Sequence, residues 1–390
     1  MTFWALFVKK ISTLVLTLGV ILGFYSPAIP NTAVNENKDT PAIVELQKDQ
    51  ATTSPKIVIG GEEQADTPPE EEIFIDPSGI LDIQRKIDEV RAEINRQISA
   101  KTPQPTPFSG SDINTKTRSA LVNILCISDT QKVRSITGSG VVVDPRGVIL
   151  TNSHIGQYFL LRDYPAIKNV NCTIRTGSPA IPKYEAELLY LSPLWINDNK
   201  TTIAETNPLG TGEHDYAFLI ITKAITGEVP EEFNYLPMLI SDGELVVSKN
   251  VVVAGYAAGF LGGVTVQKEL YPVSALSKIY ELFTFTSDTL DLISIGGSVV
   301  AQRGSSGGAV VDDGGNLIGV IVTSTEAVNT SDRDLRAVTI SHINRSLSES
   351  RGSSISALLL GDIKNKSENF NSVEAPNLKQ ILVNSIESVI

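Results

Sequence analysis

Between about residue 118 and residue 350 the sequence predicts an all-β domain, a sandwich or a barrel. Two observations carry this expectation. The apolar runs in this stretch are short, and Gly, Asn and Asp residues that favour turns separate them. No repeat of fixed period is present, and many short strands with frequent turns are the pattern of sandwiches and barrels.

Taken in order, the first runs cover 119–127, 139–143, 148–151, 172–176, 184–191 and 216–221. A second set covers 236–240, 250–254, 264–273, 309–311, 317–322 and 337–340. Residues 341–350 read as one closing helix. The tail, 351–390, ends in a stretch from Leu378 that suits a short amphipathic helix, to which no chemistry is assigned.

Other units precede the β region. Residues 1–30 carry Lys9 and Lys10, then a run without charge from Ile11 to Tyr25. A helix of that run is about 22 Å long at about 1.5 Å per residue, short of a ~30 Å hydrocarbon core, and continuing to Ile29 makes up the difference. The lysine pair predicts that the N-terminal side stays inside, which sends the rest of the chain out of the cytoplasm. The segment is a signal anchor or, since Ser26-Pro27-Ala28 resembles a small-x-small cleavage site, a signal peptide that leaves a secreted or periplasmic protein. Residues 31–77 form an acidic, Pro-containing linker in which Glu62, Glu63, Asp66, Glu70, Glu71 and Glu72 repel one another. Over 78–100, Ile80, Ile83, Ile87, Val90 and Ile94 recur at alternating spacings of three and four, the seam of a helix. That seam either gathers copies of the chain into a trimer or a similar homo-oligomer, or docks as a single amphipathic helix. Residues 101–117 are a Pro-rich hinge.

The full chain of 390 residues is 42% hydrophobic and 19% charged, enough for a sizeable core. Its net charge of −12 argues against nucleic acid or anionic lipid as the main partner. The three histidines do not cluster with cysteines at metal-ligand spacings, so no metal is expected. Nothing in the sequence asks for a cofactor.

Three segments carry the chemistry. Gly138-Ser-Gly-Val-Val-Val-Asp-Pro-Arg-Gly-Val-Ile-Leu-Thr-Asn-Ser-His154 reads as a hairpin turned at Asp144 to Gly147, with His154 just past its second strand. His214-Asp-Tyr-Ala-Phe-Leu-Ile220 places Asp215 at the entry to a buried strand. Gly304-Ser-Ser-Gly-Gly308 precedes another strand and a turn. A hydroxyl is a poor nucleophile near neutrality and needs a base, and the base needs an orienting carboxylate. Imidazole has the right affinity for a proton. The glycines around Ser306 allow a tight loop whose N–H groups, from Gly304 and Ser306, face a developing oxyanion. The order His, Asp, Ser within one β-rich region excludes an α/β-hydrolase esterase, which runs Ser, Asp, His.

These segments together resemble the trypsin-like serine proteases of chymotrypsin fold. The resemblance is closest to the HtrA/Deg branch, where a GSG…ILTN.H block precedes the base and GNSGG carries the nucleophile. Val251-Val-Val-Ala-Gly-Tyr256 also matches a strand of that branch. The resemblance covers 118–350 and implies two six-stranded β-barrels with the site in the cleft between them. It implies His154 as general base, Asp215 as its orienter, Ser306 as nucleophile, and Gly304 with Ser306 as oxyanion donors. It implies polypeptide substrates and a substrate pocket walled by Val300, Val322 and Val338. Cys126 and Cys172 fall on strands that are neighbours in such a barrel, and are either bridged or two separate buried thiols. The chain departs from the branch in three ways. Ser305 stands where Asn or Asp is usual, the interval from His154 to Asp215 is long, with its excess expected in a surface loop over 195–213, and no PDZ domain follows residue 350. An active endopeptidase is one reading; a catalytically weak protease-fold sensor or scaffold that binds peptides without cutting them is the alternative.

Overall fold

The computed structural model describes Lys86 and residues 110–388, except 206–210, 260, 286–287 and 325–331. The N-terminal membrane segment, the acidic linker and the isoleucine seam lie outside the described residues, apart from Lys86, which is helical and exposed. Among the described residues no helix is long and apolar enough to cross a membrane.

The chain enters the domain through α1 (Gly110–Ala120), a helix where the sequence predicted the end of a hinge and the start of a strand. Six strands follow: β1 (Leu121–Ser128), β2 (Ile136–Asp144), β3 (Val148–Thr151), β4 (Val170–Thr176), β5 (Ile181–Leu191) and β6 (Ala217–Ala224). They close a barrel in the order β1-β2-β3-β6-β5-β4. All four residues of β3 are buried, as suits its Val-Ile-Leu run inside a closed barrel. The predicted turn between β2 and β3 holds because Asp144 Oδ1 accepts the Arg146 N–H at 2.9 Å and Gly147 adopts φ +85°. Gly140 is required on β2: a Cβ there would lie 2.7 Å from Ile149 Cγ2. Cys126 and Cys172 stand opposite each other on β1 and β4, and their sulfurs are bonded.

The second sheet contains β7 (Asn250–Gly255), β8 (Val273–Lys278), β9 (Glu281–Phe283), β10 (Leu292–Gly296), β11 (Ala309–Asp312), β12 (Leu317–Ser324) and β13 (Leu335–Thr339). Its order is β8-β7-β11-β12-β13-β10-β9, seven strands where six were expected. The difference is small in physical terms. The two edge strands, β8 and β9, are consecutive in the chain with only Ile279 and Tyr280 between them, so one bent segment serves both edges. Tyr280 N–H donates to Ser294 O at 2.9 Å and Ser277 Oγ to Ile295 O at 2.9 Å, tying the bend across to β10. The 236–240 run forms no strand and makes a single bridge, Met238 to Leu317. The 264–273 run also departs from expectation. Its first part is a helix, α4 (Gly263–Lys268), in which Val266 is buried while Val264 is 70% exposed.

Arg175 explains how α4 is held to the first barrel. It is fully buried, with Nε donating to Asn123 Oδ1 at 2.8 Å and Nη1 to the carbonyls of Val266 and Gln267 at 2.9 and 3.0 Å. Burial holds its pKa below the usual arginine value.

Helices cover the first barrel. α2 (Ser153–Leu160) follows β3, and α3 (Pro193–Asn199) follows β5. Pro193 opens α3, and the Ser192 hydroxyl accepts the Trp195 N–H at 3.4 Å as its N-cap. Trp195 and Ile196 are buried, so the first part of the loop expected over 195–213 is a packed helix, while 206–210 of that loop lie outside the described residues. α5 (Ile340–Arg351) is the predicted closing helix, capped by Thr339.

The tail is more ordered than the sequence suggested: α6 (Ile355–Leu359), α7 (Ile363–Asn369), a π-helical turn (Phe370–Glu374) and α8 (Ala375–Ser388). A bulge between Leu188 and Tyr190 shifts the β5–β6 register, and the Leu188 carbonyl bonds to the tail. Ser367 Oγ and Asn371 Nδ2 donate to it at 2.7 and 2.6 Å. Arg146, at the β2–β3 turn, donates to the carbonyls of Leu359 and Gly361. Phe370 is fully buried, its ring 6.0 Å from that of Tyr190. Phe370→Ala is therefore expected to cost about 3–5 kcal/mol of unfolding free energy. Urea denaturation measures this, and a loss under about 1 kcal/mol would show that the tail does not share the barrel's cooperative unit.

Candidate active site

His154 is the second residue of α2, whose N-terminus is hooked to the chain just before β6. Asn152 Nδ2 donates to Asp215 O at 2.9 Å, and Ser153 Oγ donates to Tyr216 O at 2.7 Å. Both carboxylate oxygens of Asp215 then face His154. Oδ1 accepts the His154 backbone N–H at 2.9 Å, and Oδ2 lies 2.7 Å from ring Nδ1. Asp215 is buried, while the His154 side chain keeps 23% of its surface open. A carboxylate can only accept, so Nδ1 carries a hydrogen, and in a neutral ring Nε2 then holds the lone pair. The backbone N–H at the start of α2 adds a fixed donor for the carboxylate.

The turn that delivers Asp215 is braced from α5. His214 has φ +57°, and its Nδ1 lies 2.7 Å from Ser346 Oγ, which is also 3.0 Å from Tyr216 Oη. α5 carries a second His–Asp contact that the sequence did not reveal. His342 Nδ1 lies 2.9 Å from Asp291 Oδ1, and both residues are buried. Arg345 also binds Asp291, at 2.9 Å, and burial holds the His342 pKa below the usual value. With Nε2 buried as well, this pair is largely closed to solvent and braces α5.

The Gly304 to Gly308 loop depends on its glycines. Gly304 has φ +92° and Gly307 has φ +84°. A Cβ at Gly307 would lie 1.9 Å from Ser139 O, one at Gly308 2.5 Å from Ala254 O, and one at Gly304 2.6 Å from Tyr256 O. Ser305 is buried, and its hydroxyl donates to Val300 O, an uncharged tie. Ser306 is half-buried.

The His154 helix and the Ser306 loop meet at the start of β2. Gly138 sits under Ile155, the residue after His154, where a Cβ would come within 2.7 Å of Ile155 Cδ1. The next residue, Ser139, donates its N–H to Ser306 O at 2.7 Å. The three expected pocket valines are not brought together in the same way. All are buried, but Val300 belongs to one apolar cluster and Val322 and Val338 to another. Val322 faces the turn before Asp215, where a Cβ on Gly212 would lie 2.9 Å from Val322 Cγ2. Among the described residues no group of His, Cys, Asp and Glu is placed to hold a metal ion.

Comparison with known proteins adds the following. The model of the trypsin-like peptidase domain matches residues 138–320. No curated protein matches the chain. Among solved structures, the crystal structure of Deg5 is 19% identical with a TM-score of 0.40, over 60% of this chain and 90% of that one. The active form of the Rv3671c protease from M. tuberculosis is 17% identical with a TM-score of 0.39, over 64% and 88%. The serine endoprotease from Yersinia pestis is 18% identical with a TM-score of 0.39, over 63% and 67%.

Proposed function

We propose that the chain is a serine endopeptidase acting on polypeptides through an acyl-enzyme, a reading supported by the match of the trypsin-like peptidase domain to residues 138–320. Ser306 is the nucleophile, His154 the general base, Asp215 its orienter, and the N–H groups of Gly304 and Ser306 the oxyanion donors. The observation that carries this proposal is the double contact of His154 with Asp215, through ring Nδ1 at 2.7 Å and backbone N–H at 2.9 Å. It supports an imidazole held in the tautomer that leaves Nε2 able to take a proton.

Ser306 Oγ attacks the scissile carbonyl carbon while its proton passes to His154 Nε2. The carbonyl π pair moves onto oxygen, facing the two backbone donors, each worth about 3–4 kcal/mol in acyl transfer. The oxyanion then collapses, the C–N bond breaks, and the proton on His154 goes to the departing amine. Water, deprotonated by the same imidazole, attacks the acyl group, and the second collapse releases the acid and restores Ser306.

Specificity follows from the stretches beside the nucleophile loop, Ile295-Gly-Gly-Ser-Val-Val-Ala301 and Gly319-Val-Ile-Val-Thr-Ser324, which contain no acidic residue. Arg333 Nη1 also donates to the Ala301 carbonyl at 2.9 Å, which brings a cation to this side. An Arg or Lys side chain of the substrate would lose hydration there without gaining a counter-charge. Cleavage is expected after small or medium aliphatic residues such as Ala and Val. Mass spectrometry of the cuts made in unfolded casein tests this; most cuts after Arg or Lys would refute it. Binding of casein without any cut would favour the peptide-binding scaffold.

A further inference from the structure

We propose that the Ser139 hydroxyl is a positioning group for the oxyanion hole, a latch that fixes the peptide plane between its two donors. This inference rests on the catalytic reading above and adds a residue to it. Ser139 lies on β2 of the first barrel, fully buried, and reaches across to the second. Its Oγ donates to Gly304 O at 2.7 Å and accepts the Tyr256 N–H at 2.8 Å. Its own N–H binds Ser306 O at 2.7 Å, and its carbonyl accepts Thr151 Oγ1 at 2.7 Å.

The peptide planes around the nucleophile are each pinned through their carbonyls. Arg303 O accepts Ala258 N–H at 2.7 Å, Ser305 O accepts Gly308 N–H at 2.8 Å, and Ser306 O accepts Ser139 N–H. A trans peptide points its N–H opposite its C=O, so fixing each carbonyl aims the next residue's N–H. Three of the four pins are backbone groups. The fourth, on Gly304 O, is the Ser139 hydroxyl, the only side chain among them. The plane it holds, between Gly304 and Ser305, joins the two planes that carry the oxyanion donors. The other end of this plane is tied at longer range, with the Ser305 N–H donating to Gln302 O at 3.2 Å, and Gly304 has no Cβ to restrain it, so loss of the hydroxyl leaves the plane freer to turn. Ser305, with its hydroxyl committed to Val300 O, does not replace the latch.

Ser139 is fully buried, and its loss should act on the charged intermediate alone. The test compares wild type, Ser139→Ala and Ser139→Cys in the full chain, using a peptide ending in valine as its aldehyde and as its carboxamide. The aldehyde adds Ser306 Oγ to its carbonyl carbon and places the new oxygen charge on the donors; the carboxamide binds without that step. For Ser139→Ala, kcat should fall by about 10- to 100-fold with KM little changed, less than the loss of a whole donor. Aldehyde affinity should fall by the same factor, carboxamide affinity should stay, and the pH profile of kcat/KM should keep its midpoint. Ser139→Cys, with a weaker donor of similar size, should fall between the two, and it carries the comparison if Ser139→Ala does not fold. Wild-type aldehyde affinity in a folded Ser139→Ala, or equal losses for aldehyde and carboxamide in either variant, overturns the latch while leaving the protease intact. A wild-type protein that neither cuts peptide nor binds the aldehyde overturns the catalytic reading and the latch with it.

Discussion

Ser306→Ala is expected to lower kcat by about a millionfold, because the base and its orienter have no nucleophile to serve once the hydroxyl is gone. What remains should be the modest acceleration that binding and the oxyanion donors give to attack by water, about 10³-fold over solution. The fold should be untouched. Ser306 is held by its backbone carbonyl, which Ser139 N–H binds, and that contact survives in the alanine variant. Steady-state turnover of a peptide ester or amide measures the effect, with the melting temperature as a control. Turnover within tenfold of wild type would remove Ser306 from the nucleophile's role.

Asp215→Asn is expected to cost about 10⁴-fold in kcat with the same geometry. The two contacts of Asp215 with His154 explain why. Oδ1 accepts the backbone N–H of His154 and Oδ2 accepts from ring Nδ1. In the asparagine variant the amide oxygen must keep the backbone donor, since an NH₂ group there would face an N–H. The NH₂ then faces Nδ1, which becomes an acceptor, and the ring hydrogen moves to Nε2. An imidazole in that tautomer cannot take the proton of Ser306. Substrate affinity should change little. A rate within tenfold of wild type would show that Asp215 does not set the tautomer of His154.

The fold of the first barrel was legible in the sequence because its strands are apolar on both sides of clear turns, as at Asp144 to Gly147. The edges of the second sheet were not. β8 is partly or wholly exposed along its length, and the short β9 offers no apolar run. Val264-Thr-Val266 misled in the other direction: β-branched residues suggest a strand, but the carbonyls of Val266 and Gln267 bond to Arg175, far away in sequence. The tail helices α6 and α7 are short, α7 is largely polar, and they are held by the Leu188 carbonyl, by Arg146 and by the buried Phe370, none of which leaves a local trace. In the proposed site, His154, Asp215 and Ser306 stood out because the chemistry proposed for them demands particular residue types beside particular glycines. Ser139 stood in the same motif without revealing its partner, since Gly304 lies 165 residues away. The buried pair His342 and Asp291 was hidden for the same reason, 51 residues apart in the chain.

Covalent labelling with a fluorophosphonate tests the central claim most directly. The reagent forms a stable bond only with an activated serine, and digestion followed by mass spectrometry locates it. One adduct, on the peptide containing Ser306, is expected in the wild-type chain, with none in Ser306→Ala and strongly slowed labelling in Asp215→Asn. No adduct, or an adduct on another hydroxyl that persists in Ser306→Ala, would contradict the assignment of Ser306, His154 and Asp215 as a catalytic unit.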